Sequence, residues 1–129
     1  MKLRIRGDSI RLRVTRGELD TLGSAGICTE RVHVAPGAVF EYRLCVRLDH
    51  GPTAASFTGG VLEVSLSREE FGAWAGSEHE VGIRANQDNG GDGLSLLIEK
   101  DFPCLTMREG EDDSDAFARP PGADADPRC

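Results

Sequence analysis

Ser9–Leu22, which reads Ser-Ile-Arg-Leu-Arg-Val-Thr-Arg-Gly-Glu-Leu-Asp-Thr-Leu, returns in altered form between Val61 and Trp74. An offset of 52 positions lays Ile10 on Leu62, Leu12 on Val64, Val14 on Leu66, Thr15 on Ser67, Glu18 on Glu70, Leu19 on Phe71 and Leu22 on Trp74. In each copy, apolar and polar residues alternate at period two and then switch to the i, i+3 spacing of a helix face. Thr15 with Glu18, and Ser67 with Glu70, spell the reciprocal capping box at the switch. Each copy therefore predicts a strand feeding a helix.

The flanking sequence extends the repeat. Leu3 to Ile5 and Ile10 to Val14 form two short strands around a Gly7-Asp8-Ser9 turn, and a helix from about Arg16 to Leu22 stops at Gly23. A strand through Arg31 to Val34 follows. Phe40, Tyr42, Leu44, Val46 and Leu48 then alternate with Glu41, Arg43, Cys45 and Arg47, the pattern of a strand covered on one face. The second half repeats the plan: Ala55 and Phe57 stand for Leu3 and Ile5, a helix spans roughly Arg68 to Ala75, and Val81 with Ile83 make a strand. A loop over Asn86 to Gly93 leads to Leu94, Leu96 and Ile98 in the places of Tyr42, Leu44 and Val46.

The fold class is thus α+β and mainly antiparallel β, with two strand-strand-helix-strand-strand repeats, about 2–49 and 54–101, around a pseudo-twofold axis. The sheet either closes wholly or partly into a barrel or stays open with helices on one face. One domain over 1–106 is expected, followed by an acidic, flexible tail over 107–129.

Charge is sorted along the chain. Residues 1–50 carry nine Lys and Arg against six Asp and Glu, whereas residues 51–129 carry six against sixteen. The net charge of −7 makes nucleic acid an unfavoured partner. Apolar runs are strand-sized and broken by charges, which predicts no membrane span, and the alternating start Lys2-Leu3-Arg4-Ile5-Arg6 is unlike a secretory leader. A cytoplasmic protein, monomer or homodimer, is expected.

Three stretches could carry chemistry. Ile98-Glu99-Lys100-Asp101-Phe102-Pro103-Cys104-Leu105 resembles a motif of a family of small bacterial proteins of unknown function. That family has an N-terminal strand pair like Lys2-Leu3-Arg4-Ile5-Arg6-Gly7-Asp8-Ser9-Ile10-Arg11-Leu12-Arg13 and an acidic segment like Glu111-Asp112-Asp113-Ser114-Asp115-Ala116-Phe117. The resemblance covers nearly the whole chain, supports its boundaries and implies no activity. Glu99, Lys100, Asp101, Phe102 and Cys104 form a motif of unassigned role, in which Phe102 and Leu105 pin the following segment to the core. Cys104 and Cys129, with His33, His50 or His79, would be the candidates for a metal site, but they show no closely spaced ligand pair, and no metal or cofactor is expected.

Arg4, Arg6, Arg11, Arg13, Arg43 and Arg47 project from strands opposite the apolar face and are the candidate anion-binding residues, because the guanidinium fork holds phosphate or carboxylate oxygens bidentately. Turned inward they would line a cavity like that of the triphosphate tunnel enzymes. This chain, however, has Lys2-x-Arg4-x-Arg6 where those enzymes carry Glu-x-Glu-x-Lys, so the likeness is one of strand pattern. No catalytic signature is present: G-x-S-x-G, G-x-G-x-x-G and the P-loop are all missing. The expected function is therefore a noncatalytic binding or interaction domain, whose partner is a small anion or another protein. The alternative is an enzyme or carrier for a phosphorylated or other anionic small molecule, using the Arg-rich face.

Overall fold

A computed structural model of the chain describes residues 1–102 and 115–118. The elements run β1 (Lys2–Ile5), β2 (Ser9–Val14), α1 (Arg16–Ala25), β3 (Ile27–Ala35), β4 (Ala38–Arg47), β5 (Ala54–Thr58), β6 (Val61–Ser67), α2 (Arg68–Ala75), β7 (Gly82–Gln87) and β8 (Leu94–Lys100). They build two four-stranded sheets, ordered β1-β2-β8-β7 and β3-β4-β6-β5. Each sheet joins two antiparallel hairpins through a parallel central pair, β2 with β8 and β4 with β6. The α+β class and the predominance of antiparallel pairing are as expected, and the parallel central pair makes each sheet mixed.

Among the described residues no closed barrel forms. Where β5 and β7 approach, a side chain takes the place of a backbone ladder: the Gln87 amide donates to the Ala55 carbonyl at 2.8 Å and accepts from the Ala55 N–H at 2.7 Å. At another point of contact between the sheets, the Tyr42 hydroxyl donates to the Met1 carbonyl at 2.9 Å. These side-chain bridges hold the sheets together while leaving them as separate ladders.

The core is Ile10, Leu12, Val14, Leu44, Leu62, Val64, Leu66, Leu96 and Ile98 from the strands, with Leu19, Leu22 and Trp74 from the helices. Alternation on β2 buries Ile10, Leu12 and Val14 and leaves Arg11 and Arg13 on the other face. The apolar pattern overreaches at its ends: Ile5 is 58 % exposed, and Leu48, beyond the end of β4, is 83 % exposed. Leu96 and Ile98 stand opposite Ile10 and Leu12 as Tyr42 and Leu44 stand opposite Leu62 and Val64. In register Leu96 thus corresponds to Tyr42, 54 positions away where the sequence alignment expects 52, given the longer connections over 76–81 and 88–93.

Thr15 forms the full capping box, accepting from the Glu18 N–H at 3.3 Å while the Glu18 carboxylate accepts from the Thr15 N–H at 3.0 Å. At α2, Ser67 accepts from the Glu70 N–H at 3.1 Å, but Glu70 turns to the buried Thr53 hydroxyl, so the reciprocal bond is missing. Helix α1 does not stop at Gly23. It continues to Ala25 and ends at Gly26, whose φ of 77° suits glycine. Gly23 instead faces the Phe71 ring, which a Cβ there would meet at an ordinary contact distance of 3.9 Å. The expected 86–93 loop is shorter, because Asn86 and Gln87 belong to β7. No helix among the described residues is long and apolar enough to cross a membrane.

Candidate functional site

The registers of the first sheet set its outer face row by row. Arg4 pairs with Arg11, Arg11 with Leu97, and Leu97 with Arg84. The next row towards the Gly7 turn holds Ser9, Ser95 and Asn86, and the opposite row holds Lys2, Arg13, Glu99 and Gly82. Parallel pairing of β2 with β8 gathers these side chains. The face carries Lys2, Arg4, Arg11, Arg13 and Arg84, with Arg6 just past the end of β1.

Two carboxylates answer these cations. Glu99 accepts from Arg13 Nε at 2.8 Å and from Arg11 through the same oxygen, while Asp101 pairs with Lys2 at 3.1 Å. Glu99 thus fixes two guanidiniums side by side. Arg4, Arg6 and Arg84 make no ion pair among the described residues. The result is a local cationic excess on an acidic chain.

Two adjoining hollows open on this face. One of about 160 Å³ is lined by Arg4, Arg6, Ser9 and Arg11. The other, of about 370 Å³, reaches from Ser9 and Arg11 across Ser95 and Leu97 to Arg84 and Asn86. Ser9 and Arg11 belong to both. Charged guanidiniums, two hydroxyls and a carboxamide in one open groove can bind an anion through several charge-assisted hydrogen bonds.

Of the six arginines singled out in the sequence, the fold brings together Arg4, Arg6, Arg11 and Arg13. Arg43 and Arg47 lie on β4 in the second sheet. There Arg43 pairs with Glu41 at 2.8 Å and Glu63 at 3.7 Å, Arg31 pairs with Glu41 at 2.9 Å, and Arg47 reaches Asp49 at 3.4 Å and donates to the Gly51 carbonyl at 2.8 Å. Sequence reasoning missed Arg84, Asn86, Ser9 and Ser95. The signal for Arg84 was its place between Ile83 and Ala85, but ending the strand at Ile83 hid it. The tunnel geometry does not arise, because the basic face lies outside an open sheet.

Glu99-Lys100-Asp101-Phe102 has a structural reading. The Lys100 side chain enters the fold, 6 % exposed, donating to the Ser77 carbonyl at 2.6 Å, with its ammonium 5.5 Å from the Phe117 ring centre. Burial presses that ammonium below its ordinary pKa, with Glu80 opposing. Asp101 accepts the Phe117 N–H through its carbonyl at 2.8 Å, and the Phe102 and Phe117 rings meet edge-on at 6.1 Å. Asp115 accepts from the Arg16 N–H through its carbonyl and from the Gly17 N–H through its carboxylate, both at 3.1 Å. Two of the three segments that carry the family resemblance therefore touch each other, and Asp115–Ala118, assigned to the tail in the sequence, pack at the N-terminus of α1. A Cβ at Gly17 would lie 2.8 Å from the Asp115 carboxylate, which is why glycine suits this position.

Cys28 and Cys45 are free thiols, while Cys104 and Cys129 lie outside the described residues. Among the described residues no three His, Cys, Asp or Glu side chains converge as metal ligands would. Burial, followed by a 3.3 Å contact with Glu63, pushes the Cys45 thiol up to about 11. At pH 8 such a thiol holds about two hundredfold less thiolate than a free one, partly offset by the higher nucleophilicity of a basic thiolate, for a net loss of about tenfold. Iodoacetamide labelling resolved by peptide mass should therefore modify Cys45 about tenfold more slowly than free cysteine, and Glu63→Gln should speed it. Equal rates at pH 8 would contradict this environment. The raised value also means that the thiol's contribution to stability is complete below about pH 8.5 and is lost as pH climbs towards 11.

No curated protein and no solved structure matches the chain. The model of a family of unknown function, DUF7009, matches residues 1–121, and the chain belongs to that family.

Proposed function

We propose that this chain is a noncatalytic binding module that holds an anionic small molecule on the outer face of its first sheet. One observation carries the reading: Arg4, Arg6 and Arg84, without ion-pair partners among the described residues, surround a groove whose centre is Arg11, in a chain of net charge −7. A solvated sheet face needs no such excess of one sign, and mixed charge serves solubility as well. The second sheet is the internal comparison, since Arg31 and Arg43 sit beside Glu41 and Glu63, and Arg47 beside Asp49.

A binding role fits the groove better than catalysis. Its hydroxyls, Ser9 and Ser95, have no general base beside them among the described residues, and Glu99 is engaged by two guanidiniums. The two halves, about 2–49 and 54–101, are read as copies of one unit. Exchanging each strand with its counterpart turns β1-β2-β8-β7 into β5-β6-β4-β3, which supports a pseudo-twofold arrangement. On that reading the copies have diverged at the site: Glu63 and Ser65 occupy the positions of Arg11 and Arg13. One sheet kept a balanced face while the other became an anion receptor. We infer a cytoplasmic setting and one domain that includes the docked residues 115–118.

Calorimetric titration of the full chain with pyrophosphate at low ionic strength is the test. The expected dissociation constant is below about 1 mM and weakens as salt is raised. No heat, together with no rise in melting temperature at saturating pyrophosphate, would overturn the reading.

A further inference from the structure

We infer that the ligand carries two anionic groups and has a non-aromatic body, one group seated among Arg4, Arg6 and Arg11 and the other at Arg84. This rests on the anion-binding reading above and deepens it. The two hollows differ in kind. The smaller, of about 160 Å³, is walled by three guanidiniums and one hydroxyl, which suits a single compact oxyanion. The larger, of about 370 Å³, has mixed walls, with the Leu97 side chain in the middle and Arg84 and Asn86 on the far side.

Register fixes the spacing. Arg11, Leu97 and Arg84 are cross-strand neighbours in one row, so with strands about 4.8 Å apart the Arg11 and Arg84 backbones are roughly 10 Å apart. Arg4 stands one strand further along the same row, so its backbone is roughly 14 Å from that of Arg84, and a phosphate seated among Arg4, Arg6 and Arg11 leaves Arg84 to a second anionic centre. The linker between the centres would lie over Leu97, alongside the hydroxyls of Ser9 and Ser95 in the neighbouring row, which suits an aliphatic or polyhydroxylated body. Glu99 is a positioning residue: by holding Arg11 beside Arg13 it keeps Arg11 at the junction of the two hollows.

The same face argues against a polynucleotide. Binding of single strands relies on aromatic platforms on which bases stack. The outer face of this sheet is built from Lys2, Arg4, Ser9, Arg11, Arg13, Gly82, Arg84, Asn86, Ser95, Leu97 and Glu99, none of them aromatic.

The test compares propylphosphonate with propane, butane, pentane and hexane bisphosphonates by calorimetry on the full chain. One bisphosphonate length should bind about tenfold or more tightly than propylphosphonate, because the second contact is made intramolecularly. Arg84→Ala should abolish that advantage, weakening the bisphosphonate about tenfold more than it weakens propylphosphonate, whereas Arg4→Ala should weaken both probes. Arg84 is exposed and its removal breaks no ion pair among the described residues, so the variant should fold; an unchanged circular dichroism melt checks this. If propylphosphonate binds but no bisphosphonate gains, or if Arg84→Ala weakens both probes equally, the two-group ligand is wrong and the anion site stands. If neither probe binds, both readings fall.

Discussion

Replacing Trp74 by alanine is expected to remove about 3–5 kcal/mol of stability, a large share of the roughly 5–15 kcal/mol available to a domain of this size. Trp74 is 0 % exposed, the bulkiest of the fully buried side chains, and the anchor of α2. Two contributions act together. Its ring fills the space between α2 and the strands and meets Phe71 edge-on at 6.3 Å, so truncation leaves a cavity that short α2 cannot close by shifting. Its indole N–H donates to the Val81 carbonyl at 3.1 Å, fixing the connection that leads into β7. Trp74→Phe keeps much of the volume but loses that bond and part of the ring packing, and should cost about 1–3 kcal/mol. The measurement is urea unfolding followed by circular dichroism, since this is the only tryptophan in the chain and fluorescence is lost with it. An alanine variant within about 1 kcal/mol of the parent would contradict the packing described for α2.

Arg11→Glu should weaken pyrophosphate binding by about a hundredfold or more. Arg11 lines both hollows, so the substitution removes a charged donor worth about 1.5–3 kcal/mol from either seat and adds a repelling carboxylate. It also sets that carboxylate beside Glu99, which keeps Arg13 as a partner. The stability cost should be about 1–3 kcal/mol, because the two side chains are only 19 % and 12 % exposed and the new carboxylate meets Glu99, so folding of the variant is checked by its circular dichroism melt. Arg31→Glu is the matched control: it makes the same change in net charge on the second sheet, where Arg31 pairs with Glu41. It should alter affinity by no more than about twofold at physiological salt. Equal losses in the two variants would mean that overall charge, and not this face, governs binding.

Local signals carried much of the fold. Period-two alternation placed the inward residues of β2, β4 and β6, and the hydroxyl-carboxylate spacing placed both helix starts within a residue. What stayed hidden was non-local. Nothing in Ile10 or Leu96 announces that their strands pair in parallel across the chain, yet that pairing makes the basic face continuous. Gly23 looked like a stop because glycine disfavours helix interiors, but burial of Leu19 and Leu22 outweighed a penalty of about 1 kcal/mol. Gln87 read as a loop residue, whereas it clasps Ala55 and takes the place of a barrel seam.

The candidate site was half legible. Arg4, Arg6, Arg11 and Arg13 followed from alternation alone, since residues two apart on a strand share a face. Arg43 and Arg47 obey the same local rule yet lie on another sheet, which only the strand order reveals. Arg84 was lost to a strand boundary drawn too early. The Glu99-Lys100-Asp101-Phe102 motif stood out in the sequence, but its contacts with Phe117, and those of Asp115 with the N-terminus of α1, depend on the chain folding back.

The central claim is that the first sheet's outer face is an anion receptor. Its most direct test is a titration of isotope-labelled full chain with pyrophosphate, followed by amide nuclear magnetic resonance. Saturable shifts confined to Arg4, Arg6, Ser9, Arg11, Arg84, Asn86 and Ser95 and their immediate neighbours are the predicted result. Shifts centred on the second sheet around Arg43, or no saturable shifts at all, would contradict it.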